Sequence, residues 1–134
     1  MGLHDNPPAK DLLEAVREFL QEELRPLVEG NSTLRTHVGI ALNIIGIVER
    51  ELNFGAKQEL ELAQDLASLG VNSEAELAQA IRSGALDSKR DQVLNVLRKI
   101  TAAKLVVANP KFLELALKEA ELAAQKAKKA QAPA

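Results

Sequence analysis

The chain offers few of the residue types from which catalytic and metal sites are built. It has 134 residues, no cysteine and two histidines, His4 and His37, with no acidic cluster at metal-ligand spacing around them. Without cysteine there are no disulfides, thiolate ligands or cysteine nucleophiles. No serine stands in a nucleophile elbow, and Gly39 and Gly46 fall inside a predicted helix rather than in a phosphate loop. The sequence therefore predicts no catalytic residue, no cofactor and no bound metal, and a protein that is not an enzyme by itself.

Some polar residues stand where helical spacing predicts apolar ones. His37 begins an aliphatic row on the second predicted helix, and Lys104 interrupts an aliphatic row on the fifth. Arg50 closes the narrow polar seam of the second helix, which comprises Thr36, Gly39, Asn43, Gly46 and Arg50. A lysine in such a row either extends to solvent or pairs with a carboxylate, and buried charges more often fix helix register than perform chemistry. These residues therefore form either a partner-facing surface or an internal structural device. We call the following six residues the polar cluster: Glu14, His37, Arg50, Glu51, Lys104 and Asn109.

The elements that would position the polar cluster are all helices. Apolar residues recur three and four positions apart in every long segment, and no segment shows sustained strand alternation. The fold class predicted is all-α, a compact bundle of five to six amphipathic helices forming one domain over residues 1–124. An alanine- and lysine-rich tail, predicted to be a fraying helical end, follows over residues 125–134. The helices are predicted at about 7–26, 32–54, 56–69, 74–83, 88–108 and 110–124.

Single residues set several of these boundaries. Asn6 is predicted to cap the first helix, Gly55 to separate the second from the third, and Asn109 to cap the sixth. Ser73 and Glu76 have the spacing of a capping box before the fourth helix. The second helix is apolar on most sides, which predicts a central helix surrounded by others, and its two glycines predict the close approach of another backbone.

Charge and hydropathy limit the classes of partner. Residues 1–70 hold 6 Lys/Arg and 12 Asp/Glu, a net charge of −6, whereas residues 71–134 hold 11 and 7, a net charge of +4. This asymmetry suits an acidic partner at the C-terminal half, but the charged solvent faces of ordinary helices explain it more simply. The acidic total and the scarcity of aromatic residues disfavour nucleic acid. No apolar run has the length of a membrane span or signal peptide, so we expect a cytoplasmic protein without membrane contact.

Several segments stand in a characteristic order and separation along the chain. They are 12–20, His37 with 41–42, 47–52, 104–105, Val107 and 109–110. Together they cover most of residues 7–113 and resemble an uncharacterised bacterial family of small helical proteins. Its members are typically encoded beside an aminoglycoside-phosphotransferase-like kinase and an acyl-CoA dehydrogenase. The alanine- and lysine-rich tail departs from the family pattern.

The resemblance implies an accessory subunit. The best understood relatives look like the small companion of a hydroxyacyl-CoA kinase in hydroxyacid and levulinate catabolism, where the large subunit carries the kinase fold. The resemblance assigns no catalytic role to any residue of this chain. We therefore expect a non-catalytic kinase partner that docks near the polar seam of the second helix and near Asn109 and Pro110. A stand-alone binder of a small apolar or acyl ligand and a self-contained enzyme are the alternatives, and homo-oligomerisation is open.

Overall fold

The computed structural model describes Leu3 and residues 6–131, and all of its regular elements there are helical. The all-α prediction is confirmed. None of the helices in these residues is long and apolar enough to cross a bilayer. The elements are α1 (Ala9–Glu18), a π-helical turn (Phe19–Leu24), α2 (Arg25–Leu27), α3 (Ser32–Ser68), α4 (Glu74–Arg82), a 3-10 turn (Asp87–Lys89), α5 (Arg90–Ala108) and α6 (Pro110–Gln131).

Internal contacts divide the chain into two units, unit 1 over Met1–Ala56 and unit 2 over Lys57–Ala134. Helix α3 runs through the boundary, so the predicted break at Gly55 is wrong. Gly55 continues the helix, because it does not take the left-handed conformation with which a glycine typically ends a helix. Gly70 does so, with φ of 76°, and ends α3.

Unit 2 holds a contiguous apolar core. After α3, Val71 N–H donates to Leu66 O and Gly70 N–H donates to Ala67 O, at 3.1 and 3.0 Å. This pair of bonds defines a Schellman motif, in which Leu66 and Val71 come together on the apolar side of the turn. Helices α4 and α5 complete the core against that corner. Its buried members are Leu66, Leu69, Val71, Leu77, Leu86, Val93 and Val96.

Unit 1 buries one face of its first helical segment. Leu20 and Leu24 are half-buried and Val28 is buried, whereas Val16, four positions before Leu20, and Leu27, three positions after Leu24, are exposed. The π-helical turn accounts for the shift at Leu27, because a wider turn rotates the following residues relative to an α-helix. The predicted cap at Asn6 is also wrong, since α1 begins at Ala9 with Pro8 before it.

Helix α3 is not surrounded on all sides in unit 1. Val38 is buried, but Ile40, Ile44 and Val48 leave between 37% and 54% of their surface exposed. Within the described residues, nothing beyond its own helix backbone lies within 4 Å of a Cβ built on Gly39. The prediction of a backbone packed against this seam is therefore wrong at Gly39.

Helix α6 continues through the segment predicted as a tail. It ends at Gln131, and every residue from Leu117 onwards in it is exposed. Residues 132–134 lie outside the described residues. The division into one domain and a tail stays a prediction.

Candidate functional site

Within unit 1, an ion pair joins α1 to α3 on the face of α1 that is half-buried. Arg17 Nε donates to Glu49 Oε1 at 3.0 Å, and Arg17 Nη2 lies 3.9 Å from Glu14 Oε1 on the same helix. The hydrogen bond to Glu49 and the negative charge of that residue raise the pKa of Arg17. Glu49 keeps 20% of its side chain exposed and Arg17 keeps 38%, so the pair links α1 to α3 at a partly shielded position.

Sequence reasoning included Glu14 but missed both Arg17 and Glu49. The signal was present, because Arg17 lies four residues after Leu13 and three before Leu20, on the face that unit 1 half-buries. Glu49 lies four residues after Ile45 on the matching face of α3. A charged residue on each of two facing helices is the pattern of an interhelical pair.

We expect Glu49→Gln to lower the thermal midpoint of unfolding, because the change replaces the charged acceptor of the Arg17 Nε hydrogen bond by a neutral one. Glu59→Gln is the matched control, since Glu59 is exposed ten positions further along α3. Differential scanning fluorimetry at low and high salt measures both. The loss from Glu49→Gln should shrink at high salt, and equal midpoints for the two variants would argue against the role of the pair.

The other members of the polar cluster in unit 1 take different positions. His37 and Glu51 are exposed on α3, and Arg50 is half-buried. The Arg50 guanidinium lies along its own helix, with Nη1 3.1 Å from the position of a Cβ built on Gly46. Gly46 therefore makes room for the Arg50 side chain, and the close approach predicted at this glycine comes from a side chain instead of a backbone.

In unit 2, Lys104 and Asn109 have local partners. Lys104 Nζ donates to Glu74 Oε2 at 2.8 Å, which links α5 to the first turn of α4 at the surface. Asn109 Oδ1 accepts from Phe112 N–H at 3.1 Å, which confirms the predicted cap of α6. Both interactions hold helices of unit 2 in place. Whether the polar cluster also faces a partner stays a prediction.

Asn109→Ala is expected to reduce the free energy of unfolding by about 1 kcal/mol, the usual cost of removing a capping side chain. The control is Asn95→Ala, because Asn95 is exposed in the middle of α5. Urea denaturation followed by circular dichroism measures the difference. An Asn109→Ala midpoint equal to that of Asn95→Ala would contradict the capping role.

The fourth helix begins as its sequence predicted. Ser73 Oγ accepts from Glu76 N–H at 3.1 Å, and Glu76 Oε2 accepts from Asn72 N–H at 2.7 Å. The first bond is that of a capping box, but the return bond goes to the residue before the cap. Glu76 therefore ties the turn after α3 to the start of α4.

The described residues show no metal cluster, and a surface depression among them is polar. They contain no group of three or more His, Cys, Asp or Glu side chains that could hold a metal ion, and His4 lies outside them. One surface depression of about 300 Å³ is lined by six consecutive residues, Asp87–Gln92. Its lining is charged or polar, which suits water better than an aliphatic ligand.

Exposed apolar residues form the most distinctive surface of α1. Leu12, Val16 and Phe19 recur four and three positions apart, so they share one face, and each leaves about half of its surface exposed. We call these three residues the α1 apolar row. Asp11 and Glu18 lie beside it. A contiguous apolar strip with charged neighbours is characteristic of a protein-binding surface.

Fold and surface together define an all-α protein whose candidate site is an interaction surface. The chain belongs to the family described as "Domain of unknown function (DUF6285)", whose model matches residues 26–112. Searches among curated proteins and among solved structures found no match.

Proposed function

We propose that the protein is a non-catalytic accessory subunit of an aminoglycoside-phosphotransferase-like kinase that acts on hydroxyacyl-CoA in the cytoplasm. The kinase as partner comes from the family resemblance in the sequence, because the family model itself carries no function. The α1 apolar row is the observation that supports a role as a binding subunit. In this proposal the phosphoryl-transfer groups belong to the larger partner.

The α1 apolar row fits a particular kind of partner surface. Unit 1 contains 5 Lys/Arg and 9 Asp/Glu over residues 1–56, a net charge of −4. Asp11 and Glu18 place part of that charge beside the row. The kinase surface that meets it is therefore an apolar strip flanked by Lys or Arg, since complementary rim charges set orientation and association rate.

This docking surface differs from the one that the sequence suggested. The polar seam and the junction at Asn109 were expected to face the partner, but Asn109 caps α6 and Lys104 pairs with Glu74. A polar group that already has a hydrogen-bond partner inside its own unit contributes less to the free energy of binding a partner than an exposed apolar row does.

Co-expression of the chain with the kinase encoded beside it tests the proposal. Size-exclusion chromatography of the purified mixture should show a complex. ATP-dependent phosphorylation of a hydroxyacyl-CoA should require both chains. The accessory role would be refuted if the two chains did not co-elute at micromolar concentration and the kinase were equally active without this chain.

The isolated chain is expected to show no ATP-dependent phosphorylation of hydroxyacyl-CoA thioesters. It lacks a phosphate loop, and phosphoryl transfer depends on positioned Mg²⁺ ligands and a base. The assay measures ADP release with protein from a host in which the neighbouring kinase is absent. Turnover that follows the chain through successive purification steps would contradict the expectation.

A further inference from the structure

Helix α3 in unit 1 presents a second apolar face that is separate from the one packed inside the unit. Its members recur every three or four residues, so they share one side of the helix. Val38 and Leu42, which are buried or half-buried, lie about half a turn away from it. We call this surface the α3 outer face. It comprises Thr33, His37, Ile40, Ile44, Ile47, Val48 and Glu51.

The α3 outer face is exposed along its length. Ile40 and Ile44 are each exposed by slightly more than half, Val48 by more than a third, and Ile47 is half-buried. His37 and Glu51, at the two ends, are exposed. The face thus has an aliphatic centre about four residues to either side of Ile44 and a polar residue at each end, which is the arrangement of a small interface with a dry core and a polar rim.

Residues at equal distances before and after Ile44 on this face are complementary to each other. Ile40 and Val48 are both four positions from Ile44, and His37 and Glu51 are both seven positions from it. In an antiparallel pair of α3 helices centred on Ile44, each isoleucine at 40 meets a valine at 48. Each imidazole at 37 then meets a carboxylate at 51. A parallel pair would instead place the two carboxylates together, which is unfavourable.

We propose that the α3 outer face binds the same face of a second copy of this chain, in an antiparallel homodimer whose two-fold axis passes beside Ile44. A two-fold dimer requires a self-complementary patch, and the reversed order of this face supplies one. From residue 37 to residue 51 the contact extends for about 21 Å of helix. The pairing of the His37 imidazole, which has an N–H donor, with the Glu51 carboxylate, which accepts, selects the antiparallel orientation and the register.

The dimer surface shares no residue with the α1 apolar row. The inference is therefore independent of the kinase proposal, and each surface supplies a control for the other. A variant of the α1 apolar row tests whether any apolar-to-lysine change on unit 1 disturbs self-association.

Sedimentation velocity over a concentration series tests the dimer. The full chain is expected to sediment as a species of twice 14.5 kDa. Ile44→Lys places two ammonium groups beside the axis and should raise the dimer dissociation constant about 30-fold. Val16→Lys, on the α1 apolar row, should leave it unchanged. A full chain that stays monomeric up to millimolar concentration, or equal constants for wild type and a folded Ile44→Lys, would overturn the proposal.

Charge exchange tests orientation and register with variants at exposed positions. His37→Glu alone sets two carboxylate pairs against each other and should weaken the dimer about tenfold, since one such contact occurs on each side of the axis. The double variant His37→Glu with Glu51→Lys restores opposite charges only in the antiparallel register and should recover the wild-type constant to within about threefold. A double variant as weak as His37→Glu would overturn the antiparallel pairing.

Discussion

Leu77→Ala is expected to lower the free energy of unfolding by about 3 kcal/mol, within the usual cost of deleting buried methyl groups from a core leucine. Leu77 lies on α4 and is only 2% exposed, among the side chains that join α3, α4 and α5 in unit 2. Its truncation leaves a cavity that the surrounding helices can fill only partly. Urea denaturation followed by circular dichroism at 222 nm measures the loss.

The matched control for that variant is Leu60→Ala. Leu60 lies in the same unit but is 62% exposed, so its truncation should change stability by no more than about 0.5 kcal/mol. Hydrogen exchange at α4 and α5 adds a local readout, in which protection should fall for Leu77→Ala alone. Equal loss of stability in the two variants would mean that the buried cluster does not dominate the stability of unit 2.

Phe19→Ala is expected to raise the dissociation constant of the kinase complex about 100-fold. Phe19 is half-exposed and is the aromatic member of the α1 apolar row, and aromatic side chains are enriched among the residues that carry most of the binding energy of an interface. The loss corresponds to about 2.7 kcal/mol. Surface plasmon resonance with immobilised kinase measures it, and an unchanged far-ultraviolet spectrum shows that the helices are retained.

Phe112→Ala provides the control for Phe19→Ala. Both residues are phenylalanines of almost equal exposure, 50% at Phe19 and 54% at Phe112, but Phe112 lies on α6 in unit 2. If α1 is the docking surface, only Phe19→Ala weakens the complex. The opposite result would move the docking surface to α6. Full binding by both variants would show that neither Phe19 nor Phe112 contributes to the interface.

The sequence by itself determined the helical class and many of the element boundaries. Spacing of three and four residues fixes which side of a helix is apolar, and capping residues act within a few positions along the chain. For that reason Ser73 and Asn109 were identified correctly as caps of α4 and α6. Gly55 was wrongly predicted to separate two helices. A glycine inside a helix and a glycine that ends one differ in backbone conformation, and the residue type alone does not determine that conformation.

Only the tertiary structure decided which of the apolar and charged residues face one another. Periodicity shows that α3 has apolar residues on several sides, but burial of Val38 and exposure of Ile44 depend on which of those sides other residues pack against. Likewise, nothing in the local pattern joined Arg17 to Glu49, which the packing of α1 and α3 brings to 3.0 Å. Interactions across 32 positions of sequence depend on the angle and register between two helices. Those quantities are set by side-chain packing, which no local pattern records.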